Sequence, residues 1–205
     1  MNKPFEGPTE QNLNNILATT WSMLSRGAVE ADHPFHVSVL GTLGRYGPSL
    51  RTVVLRQVAP AERRLFCYTD RRSAKVTELQ THPQASWLFY DPGPQVQLRL
   101  AGITRLHFDD ELAEWAWGRV SLASRQNYLT LQSPGTPLAQ PGADLPAALA
   151  GRALSLAESE AGRPHFAVIV CQVTFLDWLH LSRTGHRRAQ FVWQGEALKA
   201  KWVTP

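Results

Sequence analysis

The chain has 205 residues, 43% of them hydrophobic, with 21 Lys and Arg against 17 Asp and Glu for a formal net charge of +4. That supplies one substantial core at a length suited to one domain, and the mild positive balance fits a small anion, with no Lys/Arg block or basic-aromatic repeat to mark a nucleic-acid groove. Two cysteines without paired spacing, a polar Met1–Glu10 start and no apolar run of bilayer length exclude a disulfide scaffold, a signal peptide and a membrane span, so a soluble protein of the reducing cytoplasm is expected.

In chain order, Gln11–Arg26 places Leu13, Ile16, Leu17, Met23 and Leu24 near helical spacing and meets Gly27, a suitable C-cap. From His36 the period changes. Val37–Leu40, a Gly41–Gly47 turn region, Leu50–Val58 and Arg64–Thr69 predict short strands of an antiparallel meander. Ser73–Gln80 predicts one or two helical turns, stopped before Pro83, and Ala85–Tyr90 the next strand. After the Asp91-Pro92-Gly93-Pro94 turn, Gln95–Phe108 is long for one strand, and Gly102 within it predicts a bulge or a close backbone approach.

Asp109-Asp110-Glu111 puts acids at the favourable end of a helix reaching Val120, and Leu122–Leu131 continues helically. Residues 132–146 turn to Pro, Gly and Ala, a loop that is either a lid or disordered. A weak helix near Ala153–Glu160 leads into strands Phe166–Phe175, Trp178–Leu181, Ala189–Trp193 and Leu198–Val203, the last two around a Gly195 turn. There is no internal repeat and no parallel strand–helix alternation. One domain over residues 1–205, mainly β with peripheral helices and built as an antiparallel barrel, is the expected fold class.

The chemistry concentrates at one place. Arg51-Thr52-Val53-Val54-Leu55-Arg56 is a strand with an arginine at each end, and Tyr68-Thr69-Asp70 runs into a helix start holding Arg71, Arg72, Ser73 and Lys75. A helix N-terminus already carries about half a positive charge, so cations gather there at a cost unless an anion joins them. The junction reads as a phosphate cradle made of backbone N–H groups, the Ser73 hydroxyl and the cations, or else as a solvated basic turn. Arg51 and Arg56 stand an odd number of residues apart and point to opposite faces of a regular strand. Either a bulge redirects one of them, or each addresses a different group of an extended ligand.

A second cationic group, His186-Arg187-Arg188, follows Trp178; it either converges on the same anion or protects an edge strand. No nucleotide-binding glycine motif, zinc-type His-Glu-x-x-His or Gly-x-Ser-x-Gly elbow occurs, no metal set is recognisable, and no protein nucleophile is assigned.

Taken in order, these blocks resemble the pyridoxamine 5′-phosphate oxidase-related FMN-binding family from about Phe35 to the C-terminus. The match rests on the Arg-Thr-Val-Val-Leu-Arg strand, the Tyr-Thr-Asp-Arg-Arg-Ser-x-Lys turn, a Gln-x-Arg-Leu strand and a final His-Arg-Arg segment. The resemblance implies a split β-barrel that dimerises with FMN in the groove between subunits. It implies an FMN-dependent oxidoreductase whose flavin accepts a hydride from a small donor and passes electrons to oxygen or another acceptor; the alternative is a flavin carrier or reductase-like protein without oxidase turnover.

Carried over by position, the cofactor would meet Arg51, Thr52, Val53, Val54, Leu55, Arg56, Tyr68, Thr69, Ser73, Lys75, Gln97, Gln132, Ser133, Trp178 and Arg188. The substrate would meet Arg56, Arg119 and His186. Departures fall at Ala74, where the oxidases carry an arginine that Arg71 or Arg72 could replace, and at Trp115, Ala123 and Thr184, where they carry tyrosine, serine and arginine around the substrate.

Overall fold

The computed structural model describes residues 13–149 and 151–205, so the polar start and the first two positions of the expected lead-in helix lie outside the described residues. Helix α1, Leu13–Val29, buries Ile16, Thr20, Trp21 and Leu24 along one stripe. It does not stop at Gly27. The helix runs on, and Gly27 serves close packing instead, because a Cβ there would meet the Cβ of Phe35 at 2.7 Å.

Strands β1 (Val37–Gly44) and β2 (Gly47–Val54) form a hairpin in register from Val37↔Val54 to Gly44↔Gly47, with Gly47 at φ +111° closing the turn. The single strand expected over Leu50–Val58 is broken at Leu55–Arg56. There the Leu55 N–H donates to the His36 carbonyl (2.9 Å) and the Arg56 N–H to the Phe66 carbonyl (2.8 Å), so the chain leaves β1 for a new partner. The short β3, Gln57–Ala59, then pairs with β4, Arg64–Asp70.

Helix α2 (Ala74–Thr81) and strands β5 (Gln84–Asp91) and β6 (Val96–His107) follow. A register shift at Ala101/Gly102 interrupts the pairing of β6, and a Cβ on Gly102 would overlap the Gln172 carbonyl, which fulfils both parts of the expectation for this glycine. Helix α3, Glu111–Trp117, is capped by Asp110, whose side chain accepts from the Ala113 N–H. The helical stretch expected over Leu122–Leu131 shortens to α4, Leu122–Arg125, and a 3₁₀ turn at Gln126–Tyr128. Residues 132–146 hold no helix or strand. Asp144 closes the base of that loop, its carbonyl accepting from the Leu131 N–H (2.9 Å) and its carboxylate from the Gln132 N–H (2.6 Å).

After α5, Leu156–Ser159, which carries a Ser155/Glu158 capping box, the two expected strands merge into one. This is β7, Phe166–His180, of 15 residues. Strands β8 (Arg187–Gln194) and β9 (Ala197–Val203) close the described chain. Every strand pair is antiparallel, in the order β2-β1-β5-β6-β7-β4-β3, with β8 and β9 added beside β7. Strand β7 is central: β6 lines one edge, and β4 (Phe166–Gln172) and β8 (Phe175–His180) divide the other.

Alternation along β5 puts Ala85, Trp87 and Phe89 inward, where they join Leu40, Leu55, Leu98, Ile169 and Phe191 in the main core. A second cluster covers the opposite face of β4 and β7. There Phe66, Phe166, Val168 and Val170 pack under Ala116, Trp117 and Tyr128. Among the described residues no helix is long and apolar enough to cross a membrane.

Candidate functional site

Strand β4 ends at Asp70 and turns into α2 through the Ser73 N–H (3.1 Å) and Ser73 hydroxyl (2.7 Å), both donating to the Asp70 carbonyl. The turn brings three polar groups together. Lys75 Nζ donates to Thr69 Oγ1 (3.0 Å) and Ser73 Oγ (3.1 Å), and those two oxygens lie 3.2 Å apart. Thr69 and Ser73 are buried. Burial lowers the Lys75 pKa from its ordinary value, and the neighbouring Arg51 lowers it further, so this ammonium gains from any anion placed against it. Among the described residues no carboxylate bonds it.

Of the residues expected at a cofactor, Arg51, Thr52, Val53, Val54, Arg56, Tyr68, Thr69 and Lys75 line one groove of about 480 Å³. Leu55 is fully buried in the core below. The break between β2 and β3 settles the opposed facing of Arg51 and Arg56: the chain turns between them, and both reach the same groove. The guanidinium of Arg56 stands 5.6 Å from the centre of the Tyr68 ring.

Arg51 is heavily engaged. Its Nη1 donates to the Leu40 carbonyl (3.4 Å) and Thr42 Oγ1, and its Nη2 to Ser49 Oγ (2.6 Å) and Glu78 Oε2 (2.9 Å). Thr42 also donates to Glu78. An arginine has five N–H donors, so only Nε–H is left, and its charge is already balanced by Glu78. Among the described residues, Lys75 and Arg56 are therefore the groove cations without a bonded carboxylate.

The other two cations of the turn do not join the cradle. Arg71 donates to Asp109 (3.2 Å) and lies over the Phe108 ring, while Arg72 grips Asp70 (2.7 Å) and reaches the Thr130 carbonyl (3.0 Å). Neither can compensate for Ala74. Arg72 instead ties the groove wall to the segment leading into Gln132 and Ser133, which are both exposed, and Thr130 Oγ1 donates to the Gln132 carbonyl (3.1 Å).

A smaller cavity of about 300 Å³ shares Arg56 and Tyr68 with the groove and adds Trp115, Arg119, Ser121 and Ser124. The two serines escaped sequence reasoning. Their signal was the helix-cap spacing, since Ser121 caps α4 by accepting from the Ser124 N–H and donates to Ser124 Oγ (3.0 Å). Arg119 rides over the Trp115 ring at 3.9 Å and donates to the Trp115 carbonyl (3.1 Å). Arg125, 4% exposed, holds the helices behind this cavity through Val120, Trp117, Ser159 and Glu160.

Gln97, Trp178, His186 and Arg188 line neither cavity. Register sets Gln97 opposite Tyr90 and Leu179, on the outer face of the sheet. Arg188 donates to the buried Asp177 (2.8 Å), which also accepts from Arg99 (3.0 Å) and Gln190 (2.9 Å). Burial opposes ionisation of Asp177, yet these bonds hold its carboxyl below the usual range. Trp178 is 5% exposed and stacks on His180, and the exposed His186 accepts from the Ser182 N–H (3.0 Å). Among the described residues no His, Cys, Asp and Glu group of three or more could hold a metal. Burial pushes the thiols of Cys67 and Cys171 up to about 12, so both stay protonated.

Residues 18–107 match the family model of the pyridoxamine 5′-phosphate oxidase FMN-binding domain. A pyridoxine/pyridoxamine 5′-phosphate oxidase 2 of Arabidopsis thaliana is 37% identical over 128 residues, which is 57% of this chain and 64% of that protein. The chain spans less than two thirds of the length of the curated relatives it matches. A crystal structure of a pyridoxamine 5′-phosphate oxidase-related FMN-binding protein from Nostoc punctiforme superposes with a TM-score of 0.68 at 22% identity, over 97% of this chain and 100% of that one. PhzG of Burkholderia lata 383, solved with tetrahydrophenazine-1-carboxylic acid, gives 0.63 at 18% identity, over 94% and 90%. The fold is the split barrel of these proteins, and the cofactor of the matched domain is FMN.

Proposed function

We propose that this chain, whose residues 18–107 match the FMN-binding domain of pyridoxamine 5′-phosphate oxidase, is an FMN-dependent oxidoreductase acting on a small anionic substrate, as a homodimer. One observation carries the proposal. Lys75, with no bonded carboxylate, meets Thr69 and Ser73 on the floor of a groove that Arg51 and Arg56 also line. This donor set suits a phosphate monoester, and FMN when bound supplies the hydride-accepting ring, so no protein nucleophile is needed.

The chain's own part is positioning. Lys75, Thr69 and the free N–H of Arg51 would hold the phosphate, and β2 from Thr52 to Val54 would run beside the rest of the cofactor. In the adjoining cavity Arg56 and Arg119 offer positive charge to the substrate's anionic group. Ser121 and Ser124 supply hydroxyls next to the position where Ala123 lacks one.

Support for the dimer comes from the outer face of the sheet. Val37, Leu50, Leu88 and Tyr90 are 53%, 70%, 39% and 44% exposed there, beside Gln97. Burying such a face against a second copy would bring Gln97 and Arg188 of one protomer toward the groove of its partner, while Trp178 stays inside the core of its own. The second reading, a flavin-binding protein without oxidase turnover, draws on Arg119, whose guanidinium is occupied by Trp115.

A visible spectrum of the purified protein, followed by titration with FMN, tests the cofactor assignment; a colourless chain that refuses FMN ends both readings. Oxygen consumption with pyridoxamine 5′-phosphate separates them, and no turnover at saturation leaves the second. Mixing Lys75→Met with Arg188→Ala chains tests the shared site: a mixed dimer regains one flavin per pair, whereas independent sites regain none.

A further inference from the structure

A second cavity is larger than the groove lined by Arg51, Arg56 and Lys75. It encloses about 890 Å³ between α3 and the sheet face formed by β6, β7 and β4. Strand register defines its floor. Ile103, Gln172 and Arg64 form one row across the three strands, and Arg105, Val170 and Phe66 form the next, extended by Gln57 on β3. Neighbouring strands lie about 4.8 Å apart, so both rows present their side chains to one open space.

Helix α3 covers only part of this face and stands Leu112 and Trp115 at its edge as a wall. Ile103 stays 46% and Trp115 42% exposed, although both belong to an apolar concavity. Concave sites of about 300–1,000 Å³ with apolar walls and few polar groups are the usual form of small-molecule sites.

The rim sets the ligand's sign. Arg64 and Arg105 stand at opposite sides of the floor, and among the described residues Arg105 has no carboxylate partner; Glu111 is the one acid on the lip, while His107 is engaged by Asp110. We infer that this cavity is a second binding site, for a flat apolar carboxylic acid whose ring lies against Trp115, Phe66 and Val170 and whose carboxylate meets Arg105, Arg64 at the far side being bonded to Gln172 (3.3 Å). Gln57 and Trp115 also line the smaller cavity beside the groove, so occupancy here presses on the substrate cavity through a shared wall.

The test is calorimetric titration of the full chain, loaded with FMN where it binds, with 2-naphthoate and with its neutral isostere 2-naphthamide. Saturable binding of one naphthoate per chain is expected, at least tenfold tighter than the amide. Arg105→Glu, an exposed strand position, weakens naphthoate at least tenfold and leaves the amide unchanged, and Val170→Trp fills the floor and weakens both. Lys75→Met leaves both affinities as they were, which separates this site from the phosphate groove. Absence of saturable binding at millimolar naphthoate overturns the inference, as does equal affinity for acid and amide or indifference to Arg105→Glu. Because the titration needs no flavin, failure of FMN to bind leaves this result interpretable.

Discussion

Arg51 and Glu78 are paired at 2.9 Å beside the groove that Lys75 and Arg56 line, with side chains only 21% and 15% exposed. The carboxylate thus competes, inside the free protein, for an arginine that the proposed phosphate site would use. With Ala74 absent from the set of cations and Arg71 and Arg72 engaged elsewhere, the groove is less positive than its sequence suggests.

Glu78→Gln is expected to strengthen FMN binding about tenfold, since one charged hydrogen bond contributes roughly 1.5–3 kcal/mol and the released donor can turn to the phosphate. Quenching of flavin fluorescence on titration measures it. Unchanged or weaker binding in a folded variant would show that Glu78 orients Arg51 rather than competing for it.

The pH dependence follows from Lys75. Its pKa is lowered in the free protein, chiefly by burial, and an adjoining phosphate raises it again, so the complex holds the proton more tightly than the free chain. Affinity should be full while Lys75 is protonated and fall as pH rises through its free-state value, at lower pH than an ordinary lysine would give. A separate decline is expected below about pH 6, where the phosphate becomes a monoanion. Lys75→Met should weaken binding about tenfold or more and remove the alkaline limb alone.

Gly102→Ala tests the bulge between β6 and β7. A methyl group there would overlap the Gln172 carbonyl and press on Cys171 Sγ, so a loss of about 3 kcal/mol is expected, read as a lower midpoint in urea. A midpoint within error of the parent would mean that the two strands part easily.

Arg125→Met probes the helices behind the smaller cavity. The guanidinium is buried, bonds two carbonyls and the Ser159 hydroxyl, and pairs with Glu160; truncating one member of such a buried set costs about 3–5 kcal/mol. Thermal unfolding should shift down by roughly 10 °C. Retention of the parent Tm would make the network dispensable.

Much of the fold was legible because its signals are local. Alternation along β5, the bulge at Gly102, the acids at the start of α3 and the Gly195 turn each depend on a few neighbouring residues. The Thr69, Ser73 and Lys75 cluster was legible for the same reason. What was hidden is tertiary: Arg71 and Arg72 find Asp109 and Thr130 far along the chain, and Glu78 reaches Arg51 from another element. The break at Leu55 was hidden too, because a β-branched run carries no mark of the point where it changes partners. Ser121 and Ser124 were hidden because their spacing announces only a helix cap, and the cavity they line forms only when β3, β4 and α3 meet.

Strand β7 backs the groove of Arg56 and Lys75 through β4 and carries the C-terminal hairpin through β8, while β6 spans both along the other edge. Its backbone amides are therefore the last that local opening can release to solvent. Deuterium uptake should lag at residues 168–178, and when those amides finally exchange, the groove and the hairpin should lose protection in the same event.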